Sequence, residues 1–183
     1  MKRIDAIKEI TKILTDELVI CTLGFPAREL YDLKDRAENF YMLGSMGLAS
    51  SISLGVCIAA SNRRVICIDG DGSILMNLGS LTTIANVSPS NLCLIIIDNG
   101  TYGSTGDQKT YTSMKTRLDL IAKGAGFDSI EVVEREEDIV PILSRNIPGC
   151  RFIVIKVNPG NAPVENIPLH PEQIKERFMR SLG

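Results

Sequence analysis

The feature that most restricts what this chain can fold into is a repeated alternation of short, fully apolar runs with segments of helical spacing. Within residues 5–14 the apolar positions Ile7, Ile10, Ile13 and Leu14 share one helical face, and LVICTL (18–23) follows as an apolar run ending at Gly24. The pair then recurs. A helix after Pro26 leads to a strand near 40–43, a helix at 48–60 to a strand at 64–69, and a helix at 74–86 to a strand at 92–97. Helices at 117–125 and 136–145 precede strands at 130–133 and 151–157. A strand that is apolar at every position, not at every second one, must be covered on both faces. The expectation is therefore an α/β fold, a mostly parallel sheet with helices on both faces. No tract resembles a linker and no internal repeat is present, so residues 1–183 read as a single domain. Its last part, 159–183, reads as an extended arm (PGNAPVENIPLHP, 159–171) that wraps its own domain or a partner subunit, then a final helix at 171–182.

Composition narrows the function classes. With 44% hydrophobic and only 5% aromatic residues, the core must be built from Ile, Leu, Val, Ala and Met. Twenty basic against 22 acidic side chains leave a net charge of −2, without the positive field that draws proteins to nucleic acid. The cysteines (Cys21, Cys57, Cys67, Cys93, Cys150) lack CxxC spacing and mostly sit in apolar runs, which points to buried thiols in a reducing cytoplasm and no cysteine metal site. The N-terminal KRIDAIKEITKIL lacks the apolar core of a signal peptide, and no run approaches the ~18 residues of a membrane span. A soluble cytoplasmic protein is expected. Lys8, Glu9, Lys12, Asp16 and Glu17 read as an exposed helix face, and the lone His170 as a solvated loop residue.

Ligands of open parallel sheets bind beyond the carboxyl ends of the strands, so the residues after each apolar run carry the functional reading. Three of these ends stand out. IDGDGS (68–73) flanks Asp71 with Gly70 and Gly72 and opens a helix whose amides can meet an anion. DNGTYGSTG (98–106) offers Asn99, Gly100 and the Thr101 carbonyl, and GSMG (44–47) sets Met46 between small residues. A carboxylate, an amide oxygen and a main-chain carbonyl are hard ligands suited to Mg²⁺, which completes its octahedron with phosphate oxygens. The set describes a Mg²⁺–diphosphate clamp. The bland alternatives are a turn acid capping a helix for Asp71 and a core residue at a helix entry for Met46. Arg28 and Lys109 read either as partners of an anionic substrate or as solvated surface charges.

GDGS, followed 28 positions after its Asp by Asn99, resembles the motif of thiamine-diphosphate enzymes in which GDG is followed by a double Asn. Asp98-Asn99 stands here in place of that pair. By the resemblance, Asp71 and Asn99 ligate Mg²⁺ through side chains and Thr101 through its carbonyl, while Gly70, Gly72 and Ser73 receive the diphosphate. Met46 takes the place of the apolar residue that props the cofactor in its reactive bent form, and Gly44, beside Ser45, that of the carbonyl meeting the aminopyrimidine. Asp98 adds a carboxylate near the metal.

The ordered set GFPARELY, GSMG, IDGDGS and DNGTYGSTG, spread over residues 20–126, is similar to the beta subunits of sulfopyruvate decarboxylases and to the matching half of phosphonopyruvate decarboxylases. This resemblance implies a carboxy-lyase acting on an anionic 2-oxo acid. The expected reaction takes sulfopyruvate to sulfoacetaldehyde and CO₂ on the route to coenzyme M. It also implies a hetero-oligomer, since the Glu that activates the cofactor belongs in this family to a pyrimidine-binding domain, here a separate alpha subunit. The competing readings are a phosphonopyruvate decarboxylase-type subunit and a non-catalytic diphosphate-binding subunit. An oxidoreductase beta subunit would bring iron–sulfur chemistry, for which the cysteine spacing gives no support.

Overall fold

The computed structural model describes residues 1–182 apart from 146 and 148, so residue 183 of the expected terminal segment lies outside the described residues. In chain order the elements are α1 (Arg3–Lys12), β1 (Leu18–Cys21), α2 (Phe25–Lys34), β2 (Asn39–Tyr41), α3 (Ala49–Ala59) and β3 (Val65–Gly70). There follow α4 (Asp71–Leu75), α5 (Gly79–Val87), β4 (Leu92–Asp98), the short β5 (Thr101–Tyr102) and β6 (Gln108–Lys109), and α6 (Leu118–Ala125). The chain closes with β7 (Ser129–Val133), α7 (Ile139–Leu143), β8 (Arg151–Lys156) and α8 (Pro171–Ser181).

Six strands form one sheet in the order β2-β1-β3-β4-β8-β7, every neighbouring pair parallel. The side chains alternate between its faces. Leu18, Ile20, Val65, Cys67, Leu94 and Val154 join one core with α3, α4, α5 and α6, whereas Val19, Cys21, Ile66, Ile68, Ile95 and Ile153 join the other with α1, α2 and α7. Both sets are buried, which is why the strands read as unbroken apolar runs. Each fully buried Ile or Leu contributes about 1.5–3 kcal/mol relative to exposure, so this two-sided burial dominates stability.

The arm wraps its own domain. Past β8, the Val157 amide donates to the Asp98 carbonyl (2.9 Å) and the Asn158 amide to the Met1 carbonyl (3.0 Å). The chain then packs Ile167 and Leu169 against the α1/α2 side. Its terminal helix α8 covers the β2 edge, with Phe178 5.4 Å from Phe40 and Arg177 paired to Asp35 at 2.9 Å. An edge strand so covered offers no template for further pairing. His170 precedes Pro171, and its amide donates to Gln173 at 2.8 Å, so it serves the start of α8.

Two expectations need correction, and one element was not expected. The helix expected over 74–86 is two helices, because the chain tightens at 76–81 into i→i+3 bonds such as Asn77 N–H to Ile74 O and Leu81 N–H to Leu78 O. There the Asn77 amide turns away to donate to the Gly47 carbonyl at 3.0 Å. The antiparallel β5–β6 hairpin was not expected, since two-residue strands carry no readable alternation. The charged face assigned to the first helix is only partly exposed. Glu9 and Glu17 are buried, Glu9 against Lys12 at 2.5 Å and Glu17 accepting from the Thr15 amide at 2.7 Å, and α1 ends before Asp16.

Candidate functional site

From β1 the chain goes to β2 on one side and then crosses to β3 on the other, so a crevice opens where the carboxyl ends of β1 and β3 diverge. A cleft of about 170 Å³ lies there, walled by Thr22 after β1, by Gly70, Asp71, Gly72 and Ser73 at the β3–α4 junction, and by Asn99 and Thr101 beyond β4. Met46 closes one side. Of the residues singled out in the sequence, Gly70, Asp71, Gly72, Ser73, Asn99, Thr101 and Met46 thus converge, while Gly44 and Ser45 lie outside the cleft wall.

Asp71 opens α4 and is 2% exposed. Its Oδ2 accepts from the Thr110 hydroxyl at 2.5 Å and the Thr112 hydroxyl at 2.9 Å. Asp98 stands beside it: its Oδ1 accepts from Thr112 at 2.8 Å and from the Gly100 amide at 3.1 Å, and its Oδ2 pairs with Lys156. Thr112 has one hydroxyl proton and two carboxylates within reach, so one acceptor always goes short. Burial pushes the Asp71 carboxyl above its ordinary range, the Thr110 hydroxyl opposes this, and the Asp98 charge adds to it. A cation beside Asp71 would offset both the desolvation and the repulsion.

The donors near Asp71 are oxygens. The Asn99 side-chain oxygen accepts from the Thr101 amide at 3.1 Å, a turn that brings Asn99 and Thr101 together at the end of β4. Among the described residues no cluster of three or more His, Cys, Asp or Glu could hold a metal. One carboxylate with two neutral oxygens suits an ion that takes its remaining ligands from elsewhere, as Mg²⁺ does from phosphates. The residues present therefore fit a Mg²⁺–diphosphate group.

The glycines of the motif serve packing as well. A Cβ on Gly72 would lie 2.4 Å from the Tyr102 ring, so the tyrosine lies against the turn only because residue 72 has no side chain. Ser73 is turned inward: its Oγ accepts from the Gly47 amide at 3.0 Å and lies 3.3 Å from the Thr22 hydroxyl. It ties the GSMG loop to the head of α4. Met46 is 37% exposed, which removes the core reading for it. Ser45 (φ 59°) and Gly47 (φ 92°) hold the turn on which it stands.

Neither Arg28 nor Lys109 lines the cleft. The Arg28 guanidinium lies 5.1 Å from the Phe25 ring centre, and Lys109 is exposed on β6. The cation in the wall is Arg3, held by Glu29 at 2.8 and 2.9 Å and by Asn161 at 2.9 Å. Asn161 also donates to the Gly103 carbonyl at 2.8 Å, joining the arm to the loop after β5. Sequence reasoning missed Arg3, Tyr102, Thr110 and Thr112. Only the Thr-Tyr-Thr run at 110–112, lying after the DNG turn, hinted at any of them.

Residues 26–157 match the family of the thiamine pyrophosphate enzyme C-terminal TPP binding domain. The chain is 49% identical to sulfopyruvate decarboxylase subunit beta of Methanocaldococcus jannaschii, over 99% of this chain and 97% of that one. It is 42% identical to the sulfopyruvate decarboxylase of Methanosarcina acetivorans, covering all of this chain but 47% of the relative. In structure it is similar to a Mycobacterium smegmatis protein assigned to the thiamin diphosphate-dependent enzymes. The TM-score is 0.67 at 17% identity, over 87% of this chain and 32% of that one, a likeness of fold. End-to-end identity with beta subunits, together with the matched domain, shows that this chain belongs to the sulfopyruvate decarboxylase beta-subunit family of thiamine pyrophosphate enzymes.

Proposed function

We propose that this chain is one diphosphate-binding domain, with 159–183 as its arm and helix, and that it works with an alpha subunit to decarboxylate sulfopyruvate to sulfoacetaldehyde and CO₂ in coenzyme M biosynthesis. The observation that carries this reading is the convergence of Asp71, Asn99, Thr101 and Met46 at the switch-point crevice of a chain homologous to beta subunits along its full length. A cytoplasmic location suits its five buried free thiols.

Asp71, Asn99 and the Thr101 carbonyl would hold Mg²⁺, and the Gly70–Ser73 turn would receive the diphosphate. Thiamine diphosphate, when bound, supplies the electron sink for the carbanion left by CO₂ loss. Met46 would prop the cofactor from the cleft side, and Thr110 and Thr112 hold Asp71 in place by hydrogen bonds. Leu23, Pro26, Ile97 and Tyr102 give the cleft apolar walls that limit water. The alpha subunit would contribute the pyrimidine pocket and its activating Glu.

The test is steady-state decarboxylation by this chain, by its alpha subunit and by the mixture, each with sulfopyruvate, phosphonopyruvate and pyruvate. Activity only in the mixture, highest with sulfopyruvate, is the expected result. Full activity from this chain alone would overturn the split site, and preference for another acid would overturn the substrate.

A further inference from the structure

No Asp, Glu, Lys or Arg occurs between residues 39 and 62 or between residues 72 and 97, stretches that contain α3 and α5. The long helices α1 and α8 are by contrast densely charged: α1 carries Arg3, Asp5, Lys8, Glu9 and Lys12, and α8 carries Glu172, Lys175, Glu176, Arg177 and Arg180. The difference is not one of burial. α3 and α5 lie side by side on the outside of the sheet, with Ser50 and Ser80 hydrogen-bonded between them at 2.9 Å, and both present residues to solvent. Gly55 and Ile58 of α3, Met76 before α5, and Thr83 and Val87 of α5 are all exposed, Ile58 and Met76 by more than 60%. A surface this depleted of charge and set with large apolar side chains is what the core of a protein interface looks like.

We infer that the outer face of α3 and α5 docks the alpha subunit. This rests on the reading of the chain as a beta subunit and adds the surface through which it acts. The face runs into the cleft: Met76 packs by Gly47, the neighbour of the cleft residue Met46, and Asn77 bonds the Gly47 carbonyl at 3.0 Å. A partner seated here therefore reaches the mouth of the cofactor cleft. The Methanosarcina relative, of which this chain spans 47%, carries further chain in the same polypeptide. The alpha subunit is accordingly the occupant, in preference to a second copy of this chain.

The experiment measures binding of the separately expressed alpha subunit to Gly55→Arg, Thr83→Arg and Met179→Arg by sedimentation, with melting temperatures for each. A Cβ on Gly55 meets nothing within 4 Å, and replacing a helical glycine raises helix stability, so Gly55→Arg should fold as well as wild type. Thr83→Arg is the second probe. Met179, exposed on the charged helix α8, is the control. Binding at least tenfold weaker for Gly55→Arg and Thr83→Arg, unchanged for Met179→Arg, with melting temperatures preserved, is the expected pattern. Wild-type affinity in both face variants overturns the surface while leaving the subunit reading intact. A wild-type homodimer that Gly55→Arg splits without changing alpha binding gives the face to a second copy and also overturns it. Absence of any binding by wild type overturns the surface together with the subunit reading.

Discussion

Asp71 and Asp98 share the hydroxyl of Thr112, so a cation placed between them would ease the competition for that one donor. Asp71→Ala should abolish Mg²⁺-dependent binding of thiamine diphosphate, because removing one partner of a buried ionic contact costs about 3–5 kcal/mol. Fluorescence titration of the complex with cofactor, with and without Mg²⁺, reads this directly; unchanged affinity in folded protein would remove Asp71 from the metal. Thr112→Val leaves two buried carboxylates without their common donor. We expect a loss of about 1–3 kcal/mol in metal-free stability, partly recovered when Mg²⁺ is added, measurable by urea unfolding in both conditions. Met46 touches the cleft without a polar atom to offer, so Met46→Ala should lower kcat by more than it weakens Mg²⁺ binding. Equal losses in both would mean that the loop has simply collapsed.

At the scale of elements, the break between α4 and α5 is what couples two motifs distant in sequence. Asn77 leaves the helical pattern to bond the Gly47 carbonyl, and Ser73 accepts the Gly47 amide, so both polar groups of Gly47 are held by the segment after β3. Asn77→Ala should remove about 0.5–1.5 kcal/mol, the net worth of one such bond. For a domain of this size that lowers the melting temperature by about 1–6 °C. It should also raise KM for the cofactor through the loosened GSMG turn. A calorimetric scan and a cofactor titration check the two halves, and a lower melting temperature with unchanged KM would mean that the bond only stabilises. The β5–β6 hairpin has the same coupling role on the other wall, since Tyr102 on it packs over Gly72 and Asn161 of the arm holds Gly103.

Across the whole molecule the five cysteines are buried in the two apolar cores, which keeps them out of the chemistry. Burial pushes the Cys57 thiol up to about 12 and the Cys93 thiol to about 11. Native protein at pH 8 should therefore leave all five unreactive toward a thiol-specific disulfide reagent, with all five reacting after denaturation. A fast-reacting thiol in the native state would contradict the packing. The same shifts set an alkaline limit. An unfolded chain loses thiol protons near the ordinary value of 9.0, before the folded one does. The folded form then binds more protons, and stability should fall as the pH rises past that value, which melting curves from pH 7 to 11 would show.

What the sequence determined by itself was local and periodic: the order of the six sheet strands and the helices between them, though not the α4–α5 break or the β5–β6 hairpin, the two-sided burial of the sheet, and the motifs at the strand ends. These follow from runs of Ile, Val and Leu and from glycines whose turns need no distant partner. Asp71, Asn99, Thr101 and Met46 were legible because the loops bearing them follow apolar strands directly. Other features were decided only by tertiary structure. The cleft needed β1 and β3 to diverge, which depends on strand order and not on any one segment. Arg3 reached the wall because the start of α1 lies beside Glu29 and Asn161, residues far from it in the chain. Thr110 and Thr112 met the carboxylates only after the hairpin turned the chain back over α4. Arg28 and Lys109, named by charge alone, stand outside the cleft wall of this chain, one beside an aromatic ring and one in solvent. Periodicity reports which face of an element is buried, but contacts between elements are set by how the faces pack, and there the sequence pattern is silent.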